Sequence, residues 1–162
     1  MSVRDTIVEF LRSIGIPVSA GELTEECFLP GIKISGGEIV FDPERMLYAG
    51  DLLHEAGHLA VLPGAVRSQF GEEDGPAIDM GRLEVQAMAW SYAAALHLGL
   101  DPAIVFHDGG YHGHAPGLLR GFSLGVYYGA PDLEAVGLTV TPTSAARLGI
   151  PPFPHMIRWL RE

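Results

Sequence analysis

Residues 51–62 read DLLHEAGHLAVL and leave few ways to fold, because two histidines and a glutamate interrupt an otherwise apolar segment. In an α-helix, side chains four residues apart lie above one another, so the imidazoles of His54 and His58 point the same way. Imidazoles within an apolar helix need polar partners. The pattern therefore predicts either a shared metal ion or two core histidines satisfied by hydrogen bonds.

The metal interpretation gives each polar residue of this segment a chemical role. His54 and His58 can share one tetrahedral ion. Glu55 is turned about 100° around the helix, so it can stand beside the ion without binding it. There it can take a proton from water whose pKa zinc lowers to about 7. We therefore expect one Zn²⁺ per chain. Gly57 costs about 1 kcal/mol relative to alanine within the helix, which a closely packed partner would explain.

A catalytic zinc site needs a third protein ligand, and we expect Glu84 to supply it. A third histidine after a further x-x-Gly-x-x is excluded, since Val61 and Gly64 occupy the positions of its glycine and histidine. Glu84 lies near the start of a helix predicted over 82–98, where most neighbours are apolar. It could instead be a solvated first-turn glutamate favoured by the helix dipole. The loop before this helix offers substitutes: Glu72, Glu73, Asp74 and Asp79.

With these motifs the chain resembles the gluzincin-like metallopeptidases, and within them the ImmA/IrrE-type family. A His-Glu-x-x-His helix is followed by a helix with a Glu-x-x-Ala motif, here Glu84 to Ala87, and the resemblance covers about residues 38–100. It implies a zincin-like core with zinc at His54, His58 and Glu84, and Glu55 as the base. Better-known members cut regulator proteins, which implies a peptide or protein substrate. The chain departs from them in having no helix-turn-helix module and in the region after Asp101.

A second group of histidines lies in a glycine-rich stretch between residues 107 and 117. Glycines let the backbone approach a ligand closely. A peptide hydrolase needs a donor for the oxyanion, and His112 is our candidate catalytic residue for that role. Tyr111 and His114 are alternatives, as oxyanion donors or metal ligands, and a solvated surface loop is the simpler interpretation. The spacing from Asp51 to His54 could place a carboxylate near the site, but a solvated position on the helix surface is the favoured expectation.

Composition limits the partners and the compartment. A net charge of −10 disfavours nucleic acid and anionic membranes, since both bind basic patches. Cys27 is the single cysteine, which excludes an internal disulfide and a multi-cysteine zinc cluster. The longest apolar run, 87–100, is too short to span a bilayer. We expect a cytoplasmic protein that binds neither nucleic acid nor membrane, and the sequence does not indicate its oligomeric state.

The periodicity predicts an α+β fold that is mostly helical, built as one metallopeptidase-like domain over 1–162. It combines the His-Glu-x-x-His helix, a second ligand-bearing helix and a small β-sheet. The hairpin strands are Ile32–Ser35 and Glu38–Phe41, joined by a Gly-Gly turn. The first predicted helix is capped by Ser2 and runs to about residue 14. Asp42-Pro43 is the predicted start of a second helix, which continues through 47–62. Further helices are predicted over 82–98, 101–106, 143–148 and 155–160, and the segment 118–128 could be helix or strand.

The function that these expectations favour is a zinc-dependent hydrolase, a peptidase in which Glu55 activates water. Two alternatives remain open at this point. The first is a metal-stabilised binding or regulatory domain that keeps a zincin-like fold without catalysis. The second is a zinc hydrolase that acts on a non-peptide amide.

Overall fold

A computed structural model describes residues 1–72 and 74–162 and gives an α+β fold with a small three-stranded sheet. About 45% of the chain is helical. The strands are β1 (Val18–Ala20), β2 (Ile32–Ser35) and β3 (Glu38–Phe41). The helices are α1 (Val3–Ser13), α2 (Asp51–Val61), α3 (Gly64–Arg67), α4 (Met80–His97), α5 (Ala115–Ser123), α6 (Ala130–Ala135) and α7 (Pro142–Leu148).

The sheet has the order β1-β3-β2, so β3 is its central strand. β2 and β3 form the predicted antiparallel hairpin with the predicted bounds, and Ile32 pairs with Phe41. Gly36 and Gly37 both have positive φ, 55° and 78°, as the two-residue turn requires. β1, which pairs with β3 in parallel, was not predicted, since three residues carry too little alternation to identify.

Helix α1 confirms the capping expected from its sequence. Ser2 accepts a hydrogen bond from the amide of Asp5, and the Asp5 carboxylate accepts one from the amide of Ser2. Gly15 follows with a φ of 95°. Ile7 and Leu11 are fully buried on its inner face. α1 thereby covers one side of a core that it shares with the sheet, α2 and α4.

Helix α2 lies at the centre of the molecule, in contact with the sheet, α1 and α4. All its eleven residues are described and nine are buried, so this helix has almost no face turned to solvent. The two exceptions are His54 and Glu55. A helix that is apolar on nearly all sides is typical of a buried position. The motif residues therefore lie at the one opening of an otherwise enclosed helix.

Two arginines satisfy carbonyl groups at the end of α2 that the helix itself leaves unpaired. The guanidinium of Arg67 donates to the carbonyls of Leu59 (2.8 Å) and Leu62 (3.0 Å). The backbone amide of Arg161, near the end of the chain, donates to the carbonyl of Ala60 (2.9 Å). The C-terminal segment thus closes α2.

The predicted start of this helix at Asp42-Pro43 is wrong, because α2 begins at Asp51. The Asp42 carboxylate is buried and instead accepts hydrogen bonds from the amides of Leu23 (3.1 Å) and Glu44 (3.0 Å). Residues 43–45 form a turn and not the start of a helix, and Asp42 connects this turn to the loop that contains Leu23. Gly50 precedes α2, and a Cβ there would lie 1.9 Å from the carbonyl oxygen of Ile104.

The remaining predictions had mixed outcomes. The helix over 82–98 is confirmed as α4, and the helix over 143–148 as α7. The 101–106 segment is reduced to the 3₁₀ turn Pro102–Ile104, and part of the ambiguous 118–128 segment belongs to helix α5. The helix predicted over 155–160 is wrong, because Met156 pairs with Thr139 in an isolated bridge. Among the described residues, no helix is both long and apolar enough to cross a membrane.

Helices α2 and α4 touch at Gly57, the closely packed position expected from the sequence. A Cβ on Gly57 would lie 2.9 Å from both Cα and the carbonyl oxygen of Ala87, nearer than side-chain carbons approach backbone atoms. Since backbone cannot move aside as a flexible side chain does, this glycine lets the two helices meet.

We predict that Gly57→Ala destabilises the protein although alanine is the better helix former. The gain of about 1 kcal/mol in helix propensity is opposed by overpacking of about 1–3 kcal/mol against the Ala87 backbone. Thermal unfolding should show a lower Tm for Gly57→Ala. Gly64→Ala is the control, because a Cβ at Gly64 has nothing within 4 Å. Equal Tm values for the two variants would contradict the close packing.

We also predict a pH-dependent contribution of Asp42 to stability. Backbone hydrogen bonds from Leu23 and Glu44 lower the pKa of the Asp42 carboxyl. A lowered pKa stabilises the fold above the unfolded value of about 3.9, and this stabilisation is lost as pH falls through the folded value. Asp42→Asn should therefore reduce the free energy of unfolding at pH 7.

The difference in free energy of unfolding between Asp42→Asn and wild type should become smaller as the pH is lowered below about 4, over the pH range in which the protein stays folded. Urea denaturation across this pH range measures it. Asp74→Asn, at an exposed position, should follow wild type throughout. A deficit of Asp42→Asn that does not change with pH would assign the effect to shape rather than charge.

Candidate metal centre

The two histidines of α2 present their rings to the same point. Their centroids are 4.7 Å apart and the rings are nearly perpendicular, at 86°. The side chain of His58 is 5% exposed and that of His54 is 12% exposed. The helical spacing predicted this shared direction, and the burial of α2 leaves the imidazoles facing the opening beside Glu55.

Glu84 projects from the first turns of α4 to complete a triad with these histidines. Its two carboxylate oxygens each lie 3.3 Å from an Nε2 atom, one of His54 and one of His58. The candidate ligand atoms of the three residues all lie within 4.8 Å of one another, an arrangement that could hold a metal ion. Glu84 is thus not a freely solvated first-turn residue.

The two contacts from Glu84 to the imidazoles have a spacing that a common ion would also give. Ligand atoms on a tetrahedral zinc, at about 2.0–2.2 Å from the ion, are about 3.4 Å apart. The observed 3.3 Å is close to this edge, whereas charge-assisted N–H···O bonds are about 2.7–2.9 Å long. Two imidazoles and a carboxylate are also the donor types that zinc takes in proteins.

Contacts within the triad lower the pKa of Glu84 and raise the pKa of His54. Hydrogen bonding to His54 and then to His58 holds the pKa of Glu84 far below its usual range. For His54, burial alone would lower the pKa, but the contact with the Glu84 carboxylate outweighs it and the pKa rises. Its contacts with the two imidazoles therefore favour the anionic form of Glu84.

Glu55 lies beside the triad and lines the same cleft without joining the ligand group. Burial raises the pKa of its carboxyl, and the nearby His58 and His54 charges oppose that rise. The two glutamates next to these histidines thus shift in opposite directions. A carboxylate whose charge is disfavoured by burial is the stronger proton acceptor of the pair.

The triad forms the floor of a cleft of about 570 Å³. Apolar side chains from separate loops and from the start of α4 make up much of its wall. Phe28 is 94% exposed and Met80 is 50% exposed, so the rim presents uncovered apolar surface. The residues lining the cleft are Phe28, Leu29, Asp51, His54, Glu55, His58, Phe70, Met80, Glu84, Gly110, Tyr111 and His112.

The glycine-rich loop reaches this cleft through Tyr111 and His112. A hydrogen bond of 2.9 Å joins the Tyr111 hydroxyl to Nδ1 of His54. His112 lines the cleft with an exposed side chain, and its catalytic role stays a prediction. Burial raises the pKa of Tyr111, so its hydroxyl keeps its proton. His114 is exposed and does not line the cleft.

Asp51 is not solvated as expected from its place at the helix start, and that prediction is wrong. Asp51 is only 6% exposed, because His107 covers it. Nε2–H of His107 donates a hydrogen bond of 2.8 Å to the Asp51 carboxylate. The His107 ring stacks on Tyr48, with centroids 3.7 Å apart and an angle of 11°. This pair anchors the glycine-rich loop to the first turn of α2.

The substitutes considered for Glu84 lie elsewhere or outside the described residues. Glu72 accepts a hydrogen bond from Ser35, and Asp79 caps α4 by accepting from the amide of Arg82. Asp74 is exposed. Glu73 falls outside the described residues. Among the carboxylates that are described, Glu84 is the one grouped with both histidines.

Sequence reasoning missed the contacts that surround the triad. The Tyr111 to His54 and His107 to Asp51 hydrogen bonds span more than fifty positions, and no local pattern signals them. Phe28 and Met80 lie in irregular segments or at a helix end, where exposure is the default expectation. Their placement at one cleft depends on the packing of loops.

Comparison with known proteins does not assign this chain to a family. No protein-family model, no curated protein and no solved structure matches the chain. A proposal for its function therefore rests on the arrangement of His54, His58, Glu84 and Glu55.

Proposed function

We propose that this chain is a zinc-dependent hydrolase, a peptidase, with one Zn²⁺ held by His54, His58 and Glu84 and with Glu55 as the general base. The observation that carries this proposal is the meeting of three ligand-type side chains in a cleft, with Glu84 3.3 Å from each imidazole and all candidate ligand atoms within 4.8 Å of one another. Two histidines and a glutamate are a ligand set of catalytic zinc sites. The proposal includes a zincin-like core of the gluzincin type, in keeping with the ImmA/IrrE-type resemblance.

The number of ligands and their access favour catalysis over a purely structural metal. Structural zinc sites are closed by four protein ligands, whereas catalytic sites use three and keep one position open. Among residues 1–72 and 74–162, three side chains form the group, and all three line the cleft. This observation favours an enzyme over a metal-stabilised binding domain, although both would bind the same ion.

The proposed reaction divides the work between the ion and the chain. When bound, zinc supplies a Lewis acid that polarises a carbonyl and lowers the pKa of water. Glu55 accepts a proton from water in the cleft and passes it to the leaving amine. Glu55 lines the cleft next to the two imidazoles, so water and substrate reach it from the cleft. His112, which is exposed and lines the same cleft, is the proposed hydrogen-bond donor to the developing oxyanion.

The walls of the cleft indicate what part of a peptide would enter it. Phe28, Phe70 and Met80 surround the triad, so an apolar side chain next to the cleaved bond would cover exposed apolar surface. Asp51, Glu55 and Glu84 make the cleft poor in positive charge. Acidic groups close to the cleaved bond would therefore be disfavoured.

We predict that the purified protein binds one zinc per chain through the triad. His58→Ala and Glu84→Gln should bind zinc at least tenfold more weakly, since each removes a ligand. His114→Ala and Glu72→Gln are matched controls at positions outside the triad and should keep wild-type affinity. Elemental analysis gives the stoichiometry, and competition with a chromophoric chelator gives the affinity.

Zinc should also stabilise the folded state, because it binds the native triad and not the unfolded chain. At a free concentration of one hundred times Kd the stabilisation is about 2.7 kcal/mol, or roughly 5–10 °C in Tm for a chain of this size. A chelator should reverse the shift in wild type, and both the zinc-dependent shift and its reversal should be smaller in Glu84→Gln. Wild-type zinc affinity in Glu84→Gln would contradict the ligand assignment.

We predict that Glu55→Gln loses activity while keeping its metal. Glutamine keeps the shape of the side chain but cannot take up a proton, so turnover should fall by about 10²–10⁴-fold. Mass spectrometry of a degenerate peptide library, incubated with the zinc-loaded protein, detects new termini. The measurement compares initial rates at equal zinc occupancy.

The outcomes separate the two candidate functions. Cleavage by wild type that disappears in Glu55→Gln and on chelation supports the peptidase. Wild-type cleavage rates in Glu55→Gln would exclude Glu55 as the base. Zinc-loaded wild type that cleaves no peptide, yet unfolds at lower temperature when chelated, would support the metal-stabilised binding domain instead.

A further inference from the structure

Tyr111 is the one side chain from outside α2 and α4 that touches a triad imidazole on its far side, within the described residues. Its hydroxyl lies 2.9 Å from Nδ1 of His54, and the two rings meet edge to face, with centroids 5.6 Å apart at 87°. Nδ1 is the nitrogen that points away from Glu84, while Nε2 points towards it. The tyrosine therefore holds the ring from behind.

The backbone around Tyr111 is arranged to deliver this hydroxyl. Tyr111 and His112 have φ values of 56° and 50°, which residues other than glycine rarely adopt. Conformations of this kind persist where the surroundings determine them strongly. The Tyr111 ring packs against Phe106 at 5.4 Å between centroids, and the loop before it is anchored by the His107 to Asp51 hydrogen bond.

The two histidines of the triad differ in how they are held. Nδ1 of His58 is buried and has no hydrogen-bond partner among the described residues, whereas Nδ1 of His54 has Tyr111. His58 is the more enclosed of the two and packs near Phe70, at 6.2 Å between ring centroids. Packing orients His58, and a hydrogen bond orients His54, which lies nearer the opening.

This hydrogen bond bears directly on whether His54 can bind a cation. A neutral imidazole carries one proton, and Nε2 offers a lone pair only when that proton is on Nδ1. The tyrosine oxygen can accept a hydrogen bond from Nδ1–H in that form. When the proton is on Nε2 and faces Glu84, the hydroxyl can turn and donate to Nδ1. A hydroxyl thus keeps the ring in place in both forms.

We propose that Tyr111 is a positioning residue that holds the His54 ring in the orientation in which Nε2 can bind the metal. This inference rests on the metal site proposed above and adds a partner to it. It assigns Tyr111 to His54 and not to the substrate, in contrast to the oxyanion role that remained open from the sequence. Outer partners of this kind contribute about 10–100-fold to metal affinity.

The test is a double-mutant cycle on zinc affinity, with zinc alone as the probe. Tyr111→Phe removes the hydroxyl and keeps the ring, and should weaken zinc binding by about 10–100-fold at unchanged stoichiometry. In a His54→Ala background the same change should have no further effect. In a His58→Ala background it should weaken binding by the same factor as in wild type. Tyr127→Phe, in the aromatic cluster around Phe122, is the control and should leave affinity unchanged.

A second measurement observes the protonation of the His54 ring directly. Long-range ¹⁵N NMR of the zinc-loaded wild type should show His54 protonated at Nδ1, and the Nδ1–H signal should move in Tyr111→Phe. Wild-type affinity in Tyr111→Phe, equal losses in the His54→Ala and His58→Ala backgrounds, or coordination through Nδ1 would each overturn the role of Tyr111. Reduced peptide cleavage at unchanged zinc affinity would also overturn it, since Tyr111 would then act on the substrate.

Failure of this inference can be told from failure of the proposed function. A wild type that binds no zinc overturns both. A wild type that binds zinc through His54, His58 and Glu84, with Tyr111→Phe indistinguishable from it in zinc affinity, overturns the positioning role and leaves the metal site intact.

Discussion

The close approach of α2 and α4 at Gly57 sets both the core and the candidate site. Gly57 lies one residue before His58 and three after His54, and it meets Ala87, one turn beyond Glu84. The distance between the two helices therefore determines how closely the Glu84 carboxylate approaches the imidazoles. A side chain at Gly57 would separate the helices and lengthen the 3.3 Å contacts of the triad. The packing of the two helices and the spacing of the triad therefore depend on the same contact.

Electrostatics then distinguishes the two glutamates that flank these histidines. Glu84 is half exposed and touches both imidazoles, which lowers the pKa of its carboxyl. Glu55 is more enclosed, and burial raises its pKa. Carboxylates whose environments push their pKa values apart take different roles in enzymes. This difference supports Glu84 as a ligand and Glu55 as a proton carrier, independently of the order in which they occur in the motif.

What the sequence could predict follows from how local each feature is. The spacing of His54 and His58, the Gly-Gly hairpin and the cap of α1 depend on neighbours in the chain, and the structure confirms them. Glu84 was predicted because a carboxylate on an apolar helix needs a partner. Asp42 was misplaced as a helix cap because its partner, Leu23, belongs to a distant loop. The burial of Asp51 was missed for the same reason, since His107 comes from the glycine-rich loop. Long-range loop packing carries no periodic signal.

The departures from local rules are concentrated at the cleft, and this bears on function. Phe28 exposes nearly all of an aromatic ring, Tyr111 and His112 adopt positive φ, and Glu55 is a carboxyl group of α2 whose pKa is raised by desolvation. Each carries a cost that a stable fold has no need to bear. Proteins tolerate such costs mainly at functional sites. A metal that served stability alone would require the triad but neither an open apolar rim nor a strained loop beside it. The grouping of these features around His54 therefore favours a site that receives a ligand over one that only joins two helices.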